Sequence, residues 1–469
     1  MTDYSLTSHI RDRLADHGQV HLLQFVDELE NGQLHQLIEQ IETLDLDQIA
    51  DLHKSFGQPQ QWSDLAARAE PPLAVRLNDS GDSPFTRDEA IQRGQQLLAD
   101  NKVAVIIVAG GQGSRLGFHH PKGMFPLGPV SKRTLFQIHI DKLRALNQRY
   151  GVIIPLYLMT SPATHEETDS FLRANNWFGY PPDHVRLFCQ GTMPAVDADS
   201  GKLLLAGRDQ LFLGPDGHGG MLAALEKSGC LADLKSRGIE NVFYCQVDNP
   251  LCQIGDAATL GYHLLAKSEL TTQAVPKREA LQKVGNIVSI DGQVQIIEYS
   301  DLQEEVARQT CADGSLKLWA GNIAVHVFNV DFLDRMTGHA DALPFHLAHK
   351  KVSFIDSAGK LVEPEQPNAV KFERFIFDLL PMAGQAIVVE VDPQEAFSPV
   401  KNAASEKSET AQTAQQSMID LAKRRLAEID VQVAEGVAIE IDPVLAHDTE
   451  RLTAKTAGLS PIREPMFLH

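Results

Sequence analysis

Apolar residues follow a helical period over roughly the first hundred positions of the chain. HLLQFVDEL (21–29) and QLHQLIEQIETL (33–44) carry them three and four residues apart, which predicts amphipathic helices. Thr86 and Glu89 have the spacing of a capping box, which predicts a helix that begins after Thr86. We therefore expect residues 1–100 to form a helical N-terminal segment with a packing or regulatory role.

The next part of the chain changes to short apolar runs that alternate with helical stretches. VAVIIVA (103–109) is apolar throughout, which is typical of a strand buried on both faces. Helical patterns follow Thr134 and Thr164 and begin again at Gly219 and Asp256. This alternation predicts a doubly wound, mixed and mostly parallel α/β sheet of the Rossmann-like kind, with ligands at the carboxyl ends of its strands. The remaining predicted strands are IIPLYLMT, HVRLFCQ, NVFYCQV, TTQAV, VGNIVSI, QVQIIEY and GNIAVHVF.

Two further features suggest how the chain is divided. Asp291-Gly292 joins two strand-like runs, which predicts an antiparallel hairpin added to the sheet. SEKSETAQTAQQ (405–416) reads as a polar linker or loop before a helix around MIDLAKRRLAEI. We expect a catalytic domain over 101–389 and a small C-terminal domain over 390–469.

Composition and charge narrow the class of protein. The chain has 469 residues and a formal charge of −20, which argues against nucleic acid or an anionic membrane as the main partner. The five cysteines are odd in number and form no CxxC pair, so we expect reduced thiols. The N-terminal residues lack the apolar run of a secretion signal, and no run is long enough to span a membrane. We therefore expect a cytoplasmic protein.

The clearest chemical signal is a glycine-rich stretch directly after the first buried strand. GGQGSRLG (110–117) is followed by Pro121-Lys122-Gly123. The glycines allow the backbone to approach a ligand closely and to present N–H groups to phosphate oxygens. Arg115 adds a planar, permanently charged guanidinium, and Lys122 adds a compact ammonium. Together they suit a triphosphate from which pyrophosphate leaves.

Other interpretations of this stretch fit the residues less well. A P-loop needs GxxxxGK[ST], which the chain lacks, and a dinucleotide fingerprint needs GxGxxG at the start of a helix. Here the spacing Gly111-x-Gly113-x-x-x-Gly117 is one residue too long, and the second predicted strand ends in MTS rather than in an acid. A purely structural turn would need neither Arg115 nor Lys122. A nicotinamide oxidoreductase is therefore disfavoured.

The longer stretch GGQGSRLGFHHPKGMFPLG resembles the signature loop of the UDP-sugar pyrophosphorylases, most of all the eukaryotic-type UDP-N-acetylglucosamine pyrophosphorylases. The resemblance continues in the same order over about 100–405. It implies a nucleotide-diphospho-sugar transferase fold with Mg²⁺ as cofactor. It also implies UTP and a sugar 1-phosphate, above all N-acetylglucosamine 1-phosphate, as substrates, and UDP-sugar and pyrophosphate as products. The other matching segments are FCQGTMPAVD, PDGHGGM, YCQVDNPL, VGNIVSIDGQVQIIEYSDL, AGNIAVHVF, KFERFIFDLLP and FSPVKNA.

The resemblance also implies which residues bind the nucleotide. Gln190 ends HVRLFCQ, where its amide could pair with the edge of uracil. From the residues alone, a solvated glutamine at a strand end is the commoner case. The nucleotide-binding set that the family implies is Gly110, Gly111, Gly113, Gln190, Met193, Pro194, Gly217 and His218.

The expected catalytic residues are cationic, and the expected metal ligand is acidic. Asp248 follows NVFYCQV, where a carboxylate can hold Mg²⁺ against phosphate oxygens or simply cap the next turn. Lys401, in SPVKN, resembles the family lysine that reaches the phosphates, although a loop lysine is more often solvated. The resemblance thus implies Arg115, Lys122 and Lys401 as catalytic residues and Asp248 as the metal ligand. An ionised sugar phosphate needs no general base, so catalysis should consist of positioning and charge neutralisation.

The sugar pocket that the resemblance implies consists of Gly285, Glu298, Asn322, Phe375 and Phe377. Glu298 can accept hydrogen bonds from sugar hydroxyls, and Asn322 can donate and accept them. A solvent-facing carboxylate and two phenylalanines in the core of a helix remain the plain alternatives. The spacing of the two phenylalanines does not place both on one helical face.

Two departures from the family pattern concern the identity of the sugar. His218 stands where the acetylglucosamine enzymes usually have Asn, and Gly-His-Gly is similar to the UDP-glucose pyrophosphorylases. PKREALQKVGN lacks the family's proline-rich approach to its glycine. Synthesis of UDP-glucose or UDP-galactose therefore stays open. A non-catalytic UDP-sugar sensor is the other alternative, although Lys122, Asp248 and Lys401 argue against it.

Overall fold

The structure is a computed structural model that describes residues 4–56, 62–78, 84–339, 343–446 and 448–469. The chain forms two compact units, and each unit combines segments that are far apart in sequence. The first unit is made of Met1–Gln60, Gln190–Gly220 and Asp341–Ile376. The second unit is made of Gln61–Cys189, Met221–Ala340 and Phe377–His469.

The helices and strands are numbered in chain order. The α-helices are α1 (Tyr4–Asp16), α2 (Asn31–Glu42), α3 (Leu46–Ser55), α4 (Trp62–Ala67), α5 (Arg87–Ala99), α6 (Leu135–Tyr150), α7 (His165–Ala174), α8 (Met221–Lys227), α9 (Cys230–Ser236), α10 (Ala257–Leu265), α11 (Glu304–Ala307), α12 (Val330–Thr337), α13 (Pro393–Ala396), α14 (Ala411–Ala427), α15 (Pro443–Ala446) and α16 (Thr449–Thr456). The strands are β1 (Ala74–Val75), β2 (Val103–Val108), β3 (Leu156–Thr160), β4 (Val185–Cys189), β5 (Thr192–Pro194), β6 (Val196–Asp197), β7 (Leu205–Gly207), β8 (Gln210–Leu211), β9 (Leu213–Pro215), β10 (Asn241–Gln246), β11 (Leu270–Pro276), β12 (Asn286–Ile290), β13 (Gln293–Ile297), β14 (Ala320–Asn329), β15 (His346–Lys350), β16 (Phe354–Ile355), β17 (Leu361–Val362), β18 (Ala369–Glu373), β19 (Ala386–Glu390), β20 (Ile439–Ile441) and β21 (Met466–Leu468).

The second unit is built around the predicted doubly wound sheet. Its main strand order is β1-β19-β11-β14-β10-β2-β3-β4, and all neighbours pair in parallel except β14, which is antiparallel to both β10 and β11. The predicted hairpin at Asp291-Gly292 is present as β12 and β13, and it joins β14 through Asn286 and Gly321. The mixed, mostly parallel α/β architecture is therefore confirmed.

Burial explains why the central strands could be found from sequence. In β2, Val103 to Ile107 are each at most 1% exposed, because helices cover both faces of the sheet. Helices α6 and α10 begin after Thr134 and Asp256, as the sequence pattern predicts, and the side chains of these two residues accept hydrogen bonds from backbone N–H groups of the first turn. The strands therefore end at an edge of the sheet where loops can hold ligands.

Helices α5 and α10 cross at two glycines. A methyl group added at Gly94 would lie 1.9 Å from the carbonyl oxygen of Ala257, and one added at Gly261 would lie 1.7 Å from that of Ala90. Only glycine permits backbones to approach this closely. Strand β1 and helix α5 both precede residue 100, yet β1 pairs with β19 at the edge of the central sheet. The structural units therefore do not follow the predicted boundaries at residues 100 and 389, because contacts distant in sequence determine them.

The first unit combines N-terminal helices with short strands. Strands β15, β18 and β6 form an antiparallel sheet, and β5 pairs with β9. Its core contains Leu14, Leu22, Leu37 and Phe372, each at most 1% exposed. The predicted helix over 33–44 is present as α2. The predicted helix over HLLQFVDEL is wrong, because this segment forms two short 3₁₀ turns, Val20–Leu23 and Val26–Glu28.

The C-terminal part of the second unit contains α14, α15, α16 and the parallel pair β20–β21. Helix α14 begins at Ala411 after a capping box of Thr410 and Thr413, so the second half of the predicted polar linker is helical. Glu440 accepts hydrogen bonds from the backbone N–H groups of Val130 and Ser131 at 2.9 and 2.7 Å. Those bonds anchor this part to the loop before α6. Among the described residues, no helix combines the length and apolar character needed to cross a membrane.

Candidate active site

The glycine-rich loop after β2 turns back on itself and leaves backbone donors unused. The N–H of Lys122 donates to the carbonyl of Gly111 at 2.9 Å, and the N–H of Gly113 donates to His120 at 2.9 Å. Within the described residues, the N–H groups of Gly110, Gly111 and Gln112 donate to no protein acceptor. Adjacent N–H groups of this kind form an anion-binding surface. The loop therefore has the donors that the phosphate hypothesis requires.

Three glycines of this loop differ in whether the fold requires a glycine there. A methyl group at Gly113 would lie 2.7 Å from the carbonyl oxygen of Phe118, and Gly117 has a φ of +71°. Both positions therefore need glycine for the fold itself. A methyl group at Gly111 would meet no atom within 4 Å. The fold does not require glycine at this position, so a ligand that approaches the loop would give it a purpose.

Lys122 and Asp248 meet at the carboxyl end of the sheet. The Nζ of Lys122 lies 3.2 Å from Oδ2 of Asp248, and the side chains are 19% and 11% exposed. Asp248 follows β10, and β10 is the parallel neighbour of β2, which leads into the glycine loop. Arg115 lies in the same loop, is exposed, and forms no ion pair within the described residues. An ammonium, a carboxylate and the unused N–H donors thus follow two adjacent strands.

Lys401 is held near Asp248 by its own backbone. The N–H of Val400 donates to the carbonyl oxygen of Asp248 at 2.9 Å, and the N–H of Lys401 donates to Glu409 at 2.7 Å. The ammonium of Lys401 lies 5.9 Å from the ring centroid of Phe397 and forms no ion pair within the described chain. Val400 thus contacts Asp248, and the next residue, Lys401, carries an ammonium without an ion pair in the described chain.

The end of β10 suits a divalent cation that is shared with a substrate. One carboxylate oxygen of Asp248 contacts Lys122, whereas Oδ1 receives no hydrogen bond from the described residues. Mg²⁺ binds through one or two carboxylates together with phosphate oxygens and water. In the described ranges no cluster of three or more His, Cys, Asp or Glu side chains offers a complete protein site. The residues present thus fit a Mg²⁺ ion for which phosphate oxygens of a substrate supply part of the ligands.

Gly285, Glu298 and Asn322 are brought together by the β12–β13 hairpin and β14. A methyl group at Gly285 would lie 2.9 Å from Oε1 of Glu298 and 3.6 Å from Cβ of Asn322. The N–H of Asn322 donates to the carbonyl of Gly285 at 2.8 Å. Oδ1 of Asn322 accepts from the N–H of Ala324 at 2.9 Å, which leaves the Nδ2 hydrogens as donors. A carboxylate acceptor and an amide donor thus face each other across a glycine, an arrangement that suits sugar hydroxyls.

Lys277 was not found from sequence, although it lies beside these residues. Its Nζ donates to Oδ1 of Asn286 at 2.6 Å, and its Cγ lies 3.4 Å from the methyl position of Gly321. Burial lowers the pKa of Lys277 to about 8. The one sequence signal is its place directly after β11, at a strand end. A buried cation here is available to a phosphorylated sugar.

The predicted uracil-binding residues belong to the first unit. Gln190 is 6% exposed, and its side-chain amide makes no hydrogen bond within the described residues. Met193 and Pro194 lie in β5, opposite Gly214 and Leu213 of β9. A buried amide with unused donors and acceptors is what recognition of a base edge requires.

Asp216 is a second residue that sequence reasoning missed. Methyl groups at Gly191 and Gly220 would lie 2.5 and 2.2 Å from its carboxylate oxygens. Burial raises the pKa of Asp216 to about 6, against the opposing effect of Arg374. Its Oδ1 is buried without a hydrogen-bond partner among the described residues. A carboxyl group with an unmet acceptor lies in the segment that precedes Gly217.

His218 and Phe375 form a stacked pair in the same unit. Their ring centroids are 5.1 Å apart, and the ring planes form an angle of 21°. The ring centroid of His346 lies 4.3 Å from that of Phe375. Nδ1 of His218 accepts from the N–H of Ile376 at 3.2 Å, and burial lowers its pKa to about 4. His218 is therefore neutral at pH 7, with its proton on Nε2. Gly217 has a φ of +85° and no space for a side chain beside Arg374.

The two phenylalanines of KFERFIFD have different surroundings. The segment is β18 followed by a 3₁₀ helix, Ile376–Met382, rather than a regular α-helix. Phe375 is half-buried in the first unit, whereas Phe377 is 3% exposed in the second. The structure therefore does not place them on one helical face, in agreement with their spacing.

The sequence relatives share one activity in their names. The chain is 36% identical over 426 residues to UDP-N-acetylhexosamine pyrophosphorylase-like protein 1 of Homo sapiens, which covers 87% of this chain and 83% of the human protein. It is 36% identical over 367 residues to UDP-N-acetylglucosamine pyrophosphorylase of Saccharomyces cerevisiae, which covers 77% of each. These identities extend well beyond the glycine loop.

A solved structure shows the same fold. The uridine diphosphate N-acetylglucosamine pyrophosphorylase of Trypanosoma brucei superimposes with a TM-score of 0.83 at 23% identity, over 99% of this chain and 98% of that protein. Residues 73–433 also match the sequence family described as UTP–glucose-1-phosphate uridylyltransferase. That match includes the glycine loop, Asp248, the Gly285 cluster and Lys401. The chain therefore belongs to the UTP–glucose-1-phosphate uridylyltransferase family.

Proposed function

We propose that this protein joins UTP to N-acetylglucosamine 1-phosphate and releases pyrophosphate. The observation that carries the proposal is the contact between Lys122 and Asp248 at the end of the sheet, next to backbone N–H groups that have no acceptor within the described residues. The chain's membership of this family supports it. Relatives named for UDP-N-acetylglucosamine support the choice of sugar. The family description, which names glucose 1-phosphate, keeps synthesis of UDP-glucose as the second candidate.

The proposed reaction is an in-line displacement at the α-phosphorus of UTP. An oxygen of the sugar phosphate forms a bond to that phosphorus while the bond to the oxygen bridging to the β-phosphorus breaks. The electron pair leaves with pyrophosphate, and no proton transfer is required. The chain's task is to hold two anions together, since two charges about 4 Å apart repel by roughly 4 kcal/mol at an intermediate dielectric.

We assign the neutralisation of the phosphate charges to backbone N–H groups and to cationic side chains. The N–H groups of Gly110, Gly111 and Gln112 would bind phosphate oxygens of UTP, together with Arg115 and Lys122. Lys401 would approach the reacting phosphates from the segment that contacts Asp248. Asp248 would hold Mg²⁺, which when bound supplies further positive charge to the phosphates.

The remaining predicted residues would bind the two organic parts. We propose that Gln190, Met193, Pro194, Gly217 and His218 bind the uracil base, and that Gly285, Glu298 and Asn322 bind the sugar. Phe375 and Phe377 remain candidates for contact with the acetamido methyl. We further propose a cytosolic location, because none of the five cysteines forms a disulfide within the described residues.

A substrate panel tests the proposal directly. Pyrophosphate release is measured with UTP, Mg²⁺ and the 1-phosphates of N-acetylglucosamine, glucose or galactose. We expect the highest kcat/KM with N-acetylglucosamine 1-phosphate. A preference for glucose 1-phosphate would establish the second candidate instead, and UDP-sugar binding without turnover would establish a sensor.

Lysine variants test the assignment of the cations. We expect Lys122→Ala and Lys401→Ala each to lower kcat at least about tenfold, equivalent to ~1.4 kcal/mol of transition-state stabilisation. Lys235→Ala is the matched control, because Lys235 forms a surface ion pair with Asp334 at 2.8 Å. Normal turnover in both Lys122→Ala and Lys401→Ala would refute the assignment.

A further inference from the structure

A cavity lies in the second unit, between helices α6, α10 and α14. Its volume is about 490 Å³, which is within the range of small-molecule sites. Apolar side chains such as Ile138, Leu146 and Met418 line one part of it, and charged side chains line the rest. Neither the glycine loop nor the Gly285 cluster contributes to its walls. The cavity is therefore separate from the candidate active site.

Three arginines face this cavity without an ion partner. Arg87, Arg149 and Arg425 line it, and within the described residues none of them forms a hydrogen bond or an ion pair closer than 4 Å. Arg149 lies over the ring of Tyr150, with 5.6 Å from its Cζ to the centroid. Arg87 and Arg149 are exposed, so water solvates them, whereas Arg425 is only partly exposed. An arginine that is removed from water without a partner is unfavourable, and its guanidinium is suited to bind a carboxylate or a phosphate.

Five acidic side chains also line the cavity, and four of them contact other groups. Asp141 pairs with Arg133 and Arg144 at 2.7 and 2.8 Å, and Asp256 caps α10. Glu440 accepts from the loop before α6, and Glu395 lies 3.9 Å from Arg424. Glu428 lines the cavity too and is exposed. None of these five acids lies within 4 Å of Arg87, Arg149 or Arg425 in the described chain, so the three guanidinium groups lack a direct ion pair although acids line the same cavity.

Arg425 is the most enclosed of the three arginines. Burial lowers its pKa, while Glu395 and Glu428 act in the opposite direction from beyond ion-pair distance. The neighbouring Lys142 differs, because its ammonium already donates to the carbonyls of Pro250 and Cys252. Arg425 therefore has hydrogen-bond capacity that an incoming anion can satisfy, whereas much of the capacity of Lys142 is used.

We propose that this cavity is a second ligand site, for a small organic anion that combines a phosphate or carboxylate group with an apolar body. The anionic group binds Arg425, with Arg149 and Arg87 nearer the solvent. The apolar body packs against Ile138, Leu146 and Met418. An occupant would lie against residues 250–256, the segment that directly follows the predicted metal ligand Asp248.

Phenyl phosphate is a suitable probe, because it has both required parts. Its binding to the full chain is measured by isothermal titration calorimetry, with inorganic phosphate as the probe that lacks the apolar body. We expect one phenyl phosphate per chain and at least tenfold weaker binding of inorganic phosphate. Equal affinity for the two, or no binding of phenyl phosphate at millimolar concentration, would overturn the proposal.

Variants then locate the bound probe. Arg425→Met and Arg149→Met should weaken phenyl phosphate binding, the former at least tenfold, whereas Lys122→Ala should leave its Kd unchanged within twofold. Weaker binding in Lys122→Ala alone would place the probe in the candidate active site and overturn the proposal.

Thermal unfolding separates a ligand role from a structural one. Since Arg425 has no internal partner, Arg425→Met should retain or raise the melting temperature of the free protein, and it should abolish the increase that phenyl phosphate causes. A lower melting temperature of free Arg425→Met would show that the guanidinium stabilises the fold, and would overturn the assignment. The exposed Arg149→Met variant keeps the binding test independent of folding.

Discussion

Gly285 offers a way to perturb the proposed sugar pocket by a single methyl group. In Gly285→Ala the new Cβ would lie 2.9 Å from Oε1 of Glu298 and 3.0 Å from Cγ2 of Ile296. Both distances are about half an ångström shorter than ordinary van der Waals contact. Ile296 is 3% exposed and packed in the sheet, so the half-buried carboxylate of Glu298 is the group that can move.

The size of the effect follows from the hydrogen bonds that Glu298 would make. A hydrogen bond to a charged group contributes about 1.5–3 kcal/mol. Losing one such bond to a sugar hydroxyl should therefore lower kcat/KM for the sugar 1-phosphate roughly 10- to 100-fold. The glycine loop that we propose to bind UTP follows a different strand, β2, so KM for UTP at saturating sugar phosphate should change less than about twofold.

The assay is pyrophosphate release, with one substrate varied while the other is saturating. Gly32→Ala is the control, because Gly32 lies in the exposed part of α2 and its added methyl meets no atom within 4 Å. The melting temperature of each variant shows whether the fold is intact. Unchanged kinetics in a folded Gly285→Ala variant, or equal losses for both substrates, would refute the placement of the sugar beside Glu298.

Further predictions concern the glycine loop, the metal, the helix crossing and the pH dependence. Gly111→Ala should keep the wild-type melting temperature but raise KM for UTP about tenfold, ~1.4 kcal/mol, because only a bound phosphate would meet the methyl group; an unchanged KM would remove the ligand from this part of the loop. Asp248→Asn should require more Mg²⁺ for half-maximal turnover, and an identical Mg²⁺ titration would exclude it as the metal ligand. Gly94→Ala should lower the free energy of unfolding by about 1–3 kcal/mol in a denaturant titration, since its methyl would lie 1.9 Å from a carbonyl oxygen. Burial lowers the pKa of His139 to about 3 and of His263 to about 4, so below pH 6.5 the unfolded chain binds protons that the folded chain does not. Stability should therefore fall with decreasing pH, by up to about 1.4 kcal/mol per unit for each histidine, and a denaturation midpoint that is constant from pH 7 to 5 would contradict this.

The sheet could be predicted because its strands have an unambiguous pattern. Runs such as VAVIIV are buried on both faces, and the Asp291-Gly292 turn identifies the hairpin. The helix over 21–29 was wrong because its apolar spacing suits 3₁₀ turns equally well once tertiary contacts form. The start of α14 was missed because AQTAQQ is polar, and its capping box has Thr413 where Glu or Gln is usual.

The candidate site was partly predictable for a similar reason. Glycines and cations that follow buried strands are visible in sequence, and the structure brings Lys122 to Asp248 and Gly285 to Glu298 and Asn322. The buried Lys277 and Asp216 carry no motif of their own. Their altered pKa values arise from burial, which only the folded chain determines.

The glycine crossing of α5 and α10 has a consequence for where the polypeptide can be cut. The spacing of apolar residues changes near residue 100, and that change alone would suggest that residues 1–100 can be removed. Yet β1 completes the edge of the sheet beside β19, and α5 covers α10 at backbone contact. A chain that starts at Asn101 would expose the face of α10 that packs against α5. It would also leave the edge of β19 unpaired, and we expect it to aggregate. An active fragment should therefore include the residues from Ala74 onward, together with the N-terminal helices whose Leu14, Leu22 and Leu37 form part of the core of the first unit.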